Sequence, residues 1–308
     1  MYSLSQDLVM RRFLYFTILI FLPSLALPQN LSLTSYTQIG SQVPASPGNI
    51  TSFWYDEFKE RIFLVNTGSN LVEVFKSDGQ FLYRIGEKGE LQLPISAVSG
   101  SDNKVFILEQ KSSILKIYQE QTKQLDTFNL TQLEPSKKAW FTQLYLDKQK
   151  NLYLIDSGNR KILILDKDLK PLAQVGTEKK SRFQQITSLA CDNSGRIFVA
   201  DGLNSGILVF DKKGKFLFSF EKSSLEDRFW RPQGIFLDLK NRVWAIDTGS
   251  AGLKIYDTNG NLLQRIDSVD SGSYRFFFPI QIAIDKYGLL YLLQQGKNQI
   301  EIFKVENF

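Results

Sequence analysis

The 308-residue chain contains no histidine. That absence excludes Ser-His-Asp triads, histidine general bases and the histidine-ligated zinc and copper centres of many enzymes. A single cysteine, Cys191, allows no internal disulfide, so stability has to come from packing. Cys191 follows Leu189 and Ala190 in an apolar stretch and reads as an inert core residue. Helical periodicity is missing beyond the first residues, and no apolar run reaches the ~20 residues of a membrane-spanning helix. Nor is there a large surplus of one charge: 37 basic against 32 acidic residues give a formal +5. So mild an excess does not imply a nucleic-acid partner, and none is expected.

What is present begins with Arg11 and Arg12 ahead of the apolar run Phe13 to Leu22, followed by Pro23, Ser24, Leu25 and Ala26. A basic start, a short apolar stretch and small residues at the cleavage positions read as a secretory signal peptide over 1–26, cut after Ala26. The mature chain, 27–308, is then exported to a periplasmic or extracellular space. No transmembrane anchor remains after processing, and no cysteine stands where an N-terminal lipid would be attached. Asn30, Asn49 and Asn129 each open an N-x-Ser/Thr sequon.

Aligned on itself, the mature chain shows one pattern six times. The clearest copy spans Phe141 to Gly176: FTQLYLD, a turn, LYLID, SGNRK, ILILDKD and PLAQVG. Four short strands joined by polar turns make one small antiparallel sheet. The residue ending the second strand recurs every 43 to 47 residues, as Asn66, Glu109, Asp156, Asp201, Asp247 and Gln294. A second ruler, ending the first strand, reads Asp56, Ser101, Asp147, Asp192, Asp238 and Asp285. These features predict an all-β, six-bladed β-propeller with four-stranded antiparallel blades at about 49–86, 94–130, 140–176, 185–221, 231–267 and 278–308. The sixth unit has only three strands of its own. LSLTSYTQIG (31–40) resembles the fourth strands FLYRIG and PLAQVG, so the N-terminal strand is expected to close the last blade and the ring, giving a monomeric molecule.

IDSGNRKILILDKDLKPLAQVG (155–176), VADGLNSGILVFDKKGKFLFSF (199–220) and PQGIFLDLKNRVWAIDTGSAGLKIYDTNGNLLQRI (232–266) resemble the NHL-repeat propellers. Units 1, 2 and 6 depart from that motif, with Asn66, Glu109 and Gln294 where the family favours Asp. The resemblance implies a propeller used for binding. Some six-bladed propellers are instead calcium-dependent enzymes of the gluconolactonase type, whose acidic and amide ligands sit near the start of the innermost strands.

Counting five residues back from the second ruler places Thr51, Ser96, Thr142, Thr187, Gln233 and Ile280 at those inner positions. Hydroxyls, one amide and an aliphatic group offer a hard dication too little anionic oxygen, so no metal and no cofactor are expected, and the polar members read as channel lining. Asp156, Asp201 and Asp247 head tight turns, where aspartate accepts backbone hydrogen bonds, and are read as structural. No catalytic residue is assigned.

The connections from one blade's outer strand to the next blade's inner strand gather on one face. They are basic and aromatic: Lys137, Lys138 and Trp140; Lys179, Lys180, Arg182 and Phe183; Arg228, Phe229, Trp230 and Arg231; Tyr274, Arg275 and Phe276 to Phe278. Cations among aromatic rings suit anionic or sugar-containing partners. The aromatics equally fit as plugs between blades, with the cations as solvated rim. The expectation is a non-catalytic binding or scaffolding propeller of the cell envelope that holds a protein or an acidic glycan. A channel-centred hydrolase or lyase, metal-dependent and lactonase-like, is the alternative from another class. An assembly factor for an exported electron-transfer or surface complex is the third.

Overall fold

The computed structural model describes residues 30–40, 49–110, 112–177, 183–204, 206–220, 228–250, 252–272 and 275–308. The signal peptide expected over 1–26 and its cleavage site lie outside them. Every sheet among the described residues is a four-stranded antiparallel blade, and there are six. Blade 1 comprises β2 (Ile50–Asp56), β3 (Arg61–Asn66), β4 (Leu71–Lys76) and β5 (Phe81–Ile85), and blade 2 comprises β6 (Pro94–Ser99), β7 (Lys104–Glu109), β8 (Ile114–Gln119) and β9 (Gln124–Asn129). Blade 3 is β10 (Phe141–Leu146), β11 (Leu152–Asp156), β12 (Lys161–Leu165) and β13 (Pro171–Val175), and blade 4 is β14 (Ile186–Cys191), β15 (Ile197–Asp201), β16 (Gly206–Phe210) and β17 (Phe216–Ser219). Blade 5 is β18 (Pro232–Leu237), β19 (Val243–Asp247), β20 (Gly252–Tyr256) and β21 (Leu262–Ile266). Blade 6 contributes β22 (Pro279–Ile284), β23 (Leu289–Gln294) and β24 (Gln299–Glu306), and its fourth strand is β1 (Ser32–Ile39).

The strands form because β-branched and aromatic residues pack well on a pleated surface, and the second strands and most of the third, though not β8, are buried on both faces by the neighbouring sheets. Trp244, Tyr291, Phe63, Phe75 and Phe198 are among the largest side chains excluded from solvent. Closure is antiparallel, running from Ser32 opposite Glu306 to Ile39 opposite Ile300. Leu31, Leu33 and Ile39 turn inward, and Gln264 of blade 5 brackets Leu31 by accepting from its N–H at 2.8 Å and donating to its carbonyl at 2.5 Å.

Two recurring side chains hold each blade's ends. Asp147, Asp192, Asp238 and Asp285 accept backbone N–H groups of the turn after the inner strand, as in Asn151 N to Asp147 Oδ1 at 2.8 Å. At the opposite end, Asp156, Asp201 and Asp247 accept from the connection entering the blade and from the following turn. Their structural role is therefore visible in their partners. Where the motif departs, the oxygen survives: Glu109 accepts from Gln92 N, Gln294 from Phe277 N and Asn66 from Ser69 N.

Candidate axial cavity

Each inner strand carries one residue too many. The pairing of inner and second strand slips at Thr51, Ile95, Thr142, Thr187, Gln233 with Gly234, and Ile280. A bulge lifts the extra residue out of the ladder and re-aims its side chain. Here the re-aimed residues converge on the axis, where all six bulge positions line a cavity of about 500 Å³.

Thr51, Thr142, Thr187 and Gln233 are among them; Ser96 is not. It pairs in register with Leu108, is buried, and its Oγ accepts from Leu144 N at 3.0 Å. The inner strand of blade 2 turns one residue early: Gly100 N bonds to Lys104 O just as Asp147 N bonds to Asn151 O. Counting five back from Ser101 therefore stops one residue short, and Ile95 holds the bulge.

The threonine hydroxyls are committed to the frame. Thr51 shares a 2.8 Å hydrogen bond with Thr67, Thr142 a 2.7 Å bond with Ser157, and Thr187 donates to Pro232 O at 2.9 Å. The column after the bulge clasps neighbouring blades: Ser52 to Ile95 O, Ser96 to Leu144 N, Ser188 to Ile235 N, and Gln281 to both Phe53 N and Phe53 O. Blade 3 breaks that column with Gln143, and blade 5 with Gly234, which has no side chain to offer.

Gln143, Gln184, Gln185, Gln233 and Gln295 all line the cavity, and their side-chain amides make no hydrogen bond among the described residues. Only Gln233 was legible from the spacing. Gln143, Gln184 and Gln185 flank the bulge or the start of the inner strand, in columns adjacent to the one counted, and Gln295 follows the second strand of blade 6. Among the described residues, Arg160 is the one charged side chain lining this cavity. It closes the turn after β11 in the left-handed region, at φ 56°. Among the described residues no carboxylate lines it, because Asp156, Asp201 and Asp247 are buried and turned into the blade ends. A second, smaller cavity of about 120 Å³ is lined by apolar residues such as Leu144, Leu189, Ile235 and Ile282 together with Glu57, Asp147, Lys148 and Lys150. Cys191 lies there, its thiol pushed far up by burial, as suits a packing residue.

Around the mouth, the connections divide their aromatics between two tasks. Phe183, Phe229 and Phe276 are buried and pack against Phe210, Tyr256 and Phe303. Trp140, Trp230, Phe277 and Phe278 remain 47–67% exposed. Lys137, Lys138, Arg228, Arg231 and Arg275 are exposed beside them, with the Arg228 guanidinium 5.9 Å from the Trp230 ring. Trp140 both stands on the rim and lines the cavity. Lys179, Lys180 and Arg182 lie outside the described residues. Among the described residues, no group of three or more cysteine and acidic side chains is placed to hold a metal ion, and no helix is long and apolar enough to cross a membrane.

No family model matches the chain, and no curated protein matches its sequence. Solved structures do. The virginiamycin B lyase of Staphylococcus aureus superposes with a TM-score of 0.61 at 11% identity, covering 89% of this chain and 99% of the lyase. A gluconolactonase-like protein gives 0.61 at 12% identity, covering 89% and 94%. The WD40 β-propeller domain of Doa1 gives 0.58 at 14% identity, covering 83% and 78%. Likenesses this remote establish the fold. They also correct the expectation that the chain is not an enzyme: proteins sharing the fold over nine-tenths of it include a lyase and a gluconolactonase-like protein. A catalytically inactive histidine-to-alanine variant of that lyase is known with quinupristin. This chain has no histidine to place at such a position.

Proposed function

We propose that the chain recognises a polar, hydroxyl- or amide-rich ligand of the cell envelope, which enters the axial cavity end-on from the face carrying the basic and aromatic connections. The observation that carries this reading is the set of five glutamine amides that line a 500 Å³ cavity without hydrogen-bond partners among the described residues. Gln184, Gln185 and Gln295 are exposed and Gln143 and Gln233 half-buried, so their donors and acceptors are open to a ligand that displaces water from a concave site. Trp140, Trp230 and the rim cations extend the surface to the rest of a larger partner, a glycan or a protein. The blade motifs support a place beside the NHL-repeat propellers, and the leader supports an exported, periplasmic or extracellular setting for a monomeric ring.

The test is a binding screen of the purified chain against envelope oligosaccharides and peptides, followed by calorimetry on the Gln143→Leu/Gln233→Leu double variant. Two neutral hydrogen bonds at roughly 0.5–1.5 kcal/mol each predict about tenfold weaker binding or more. Unchanged affinity in that variant, with the rim variant Arg228→Ser/Arg231→Ser equally silent, would remove this face from consideration. Mass analysis of the recovered ligand separates recognition from turnover, an outcome that the lyases sharing this fold make worth reading.

A further inference from the structure

Resting on that reading of the axial cavity, we infer that its ligand is a uronic-acid sugar, with Arg160 taking the carboxylate, Trp140 the apolar face of the ring, and the glutamine amides the hydroxyls. The cavity is unequal around its circumference. The sector formed by blades 3 and 4 carries Trp140, Arg160, Gln143, Gln184 and Gln185, whereas blades 1 and 2 offer Thr51, Ser52 and Ile95.

Trp140 and Arg160 are fixed relative to each other by the backbone. Ser157 N, at the head of the turn that ends in Arg160, donates to Trp140 O at 2.9 Å. Asp156, buried at the start of that turn, accepts from Trp140 N at 3.0 Å and from Asn159 N at 3.1 Å. The indole and the guanidinium are therefore carried on one hydrogen-bonded corner at the cavity edge. Among the described residues no ion pair engages Arg160 and no carboxylate lines the cavity to compete for it.

Each partner selects a feature of the ligand. A guanidinium presents parallel N–H donors that fit a carboxylate. An indole ring gives the C–H face of a sugar a flat apolar platform. A carboxamide both donates and accepts, as a hydroxyl does, so a cluster of glutamines suits a molecule bearing several hydroxyls close together. A phosphate only accepts, and one cation with five amides leaves half the amide capacity unused. A peptide C-terminus offers the carboxylate but no ring for Trp140 and fewer polar groups per unit volume. Lys137 and Lys138, exposed in the connection that leads to Trp140, would attract further acidic units outside the cavity.

The experiment is calorimetric titration of the purified 308-residue chain with tri-galacturonate, its methyl ester and a neutral galactose trimer, then with a tripeptide bearing a free C-terminus. Arg160→Asn removes the cation with a residue that tolerates a left-handed backbone; Arg160→Lys keeps the charge without the fork; urea midpoints check that both remain folded. The expected result is that tri-galacturonate binds at least tenfold more tightly than its ester. Arg160→Asn should abolish that preference, with Arg160→Lys in between. Equal binding of acid and ester, unchanged by Arg160→Asn, overturns the uronate assignment while leaving the cavity standing. Loss of all sugar binding in the Gln143→Leu/Gln233→Leu variant, or its persistence, decides the cavity reading separately. Arg160-dependent binding of the tripeptide without sugar binding also overturns the assignment.

Discussion

Removing the side chain of Asp156 tests whether the blade-end acids serve as hydrogen-bond acceptors or as charges. Asp156 is fully buried and accepts Trp140 N at 3.0 Å, Asn159 N at 3.1 Å and Asn159 Nδ2 at 2.6 Å. Alanine leaves two backbone N–H groups without their acceptor, each costing about 1–3 kcal/mol where water cannot replace it. The turn lies at the rim, where water reaches part of it, so the expected loss is about 3 kcal/mol. Asparagine keeps one oxygen for both backbone donors and gives up the bond from Asn159 Nδ2, for about 1 kcal/mol. The protein has made comparable exchanges already, since Asn66, Glu109 and Gln294 do the same work in blades 1, 2 and 6. Urea unfolding of the full chain, followed by far-ultraviolet dichroism and tryptophan emission, measures both variants. An alanine variant within 1 kcal/mol of the parent would refute the acceptor argument, and an asparagine variant as unstable as alanine would show that charge carries the role.

Further outcomes follow from the same contacts. Phe229→Ala should cost about 3–5 kcal/mol because the ring is buried between blades, whereas Trp230→Ala beside it should leave the urea midpoint nearly unchanged and weaken ligand binding. Leu33→Asp should destabilise the ring enough to abolish a single cooperative transition in calorimetry, since this strand completes blade 6 and Leu33 is buried in its core. Stability should be flat from about pH 5 to 9 with no histidine to titrate, a profile readable from melting temperatures across buffers. Burial alone would raise the carboxyls of Glu120 and Asp192. Hydrogen bonds from Lys59 and Tyr83 to Glu120, and from Ser194 and Arg196 to Asp192, outweigh it and hold both below their ordinary values. Their contribution is present above about pH 4.5 and is lost as the pH falls through the depressed values. Burial raises the phenols of Tyr145, Tyr153 and Tyr291, so their contribution is complete below about pH 10 and declines above it.

The architecture was legible because it is written six times. The second-strand ruler falls on the last residues of β3, β7, β11, β15, β19 and β23, where a buried side-chain acceptor ties the blade end to the connection entering the blade or to the following turn. The three-stranded sixth unit pointed to closure by β1 for the same reason, as an unpaired edge has to find a partner. The cavity was less legible. A count back along the chain cannot see that blade 2 turns at Gly100, so it put Ser96 at the axis instead of Ile95. The expectation of a chain without catalysis rested on missing histidines and acids. A channel-centred hydrolase or lyase was only the alternative, and proteins of the same fold include a lyase.

Why the glutamines escaped notice bears on how repeat proteins hold function. In a ring of equivalent blades, a side chain that serves the architecture recurs, and recurrence draws the eye to Asp156, Asp201 and Asp247. A side chain that serves a ligand has no reason to recur, because the ligand lacks the symmetry of the ring. The informative positions are the ones where a structural column is broken. Ser52, Ser96, Ser188 and Gln281 clasp neighbouring blades, and Gln143 in the same column does not. Restoring the serine, as Gln143→Ser, should therefore supply the missing clasp, raising stability or leaving it unchanged while binding falls. A variant that instead loses stability would show that Gln143 is part of the frame, and the argument from the broken column would fail.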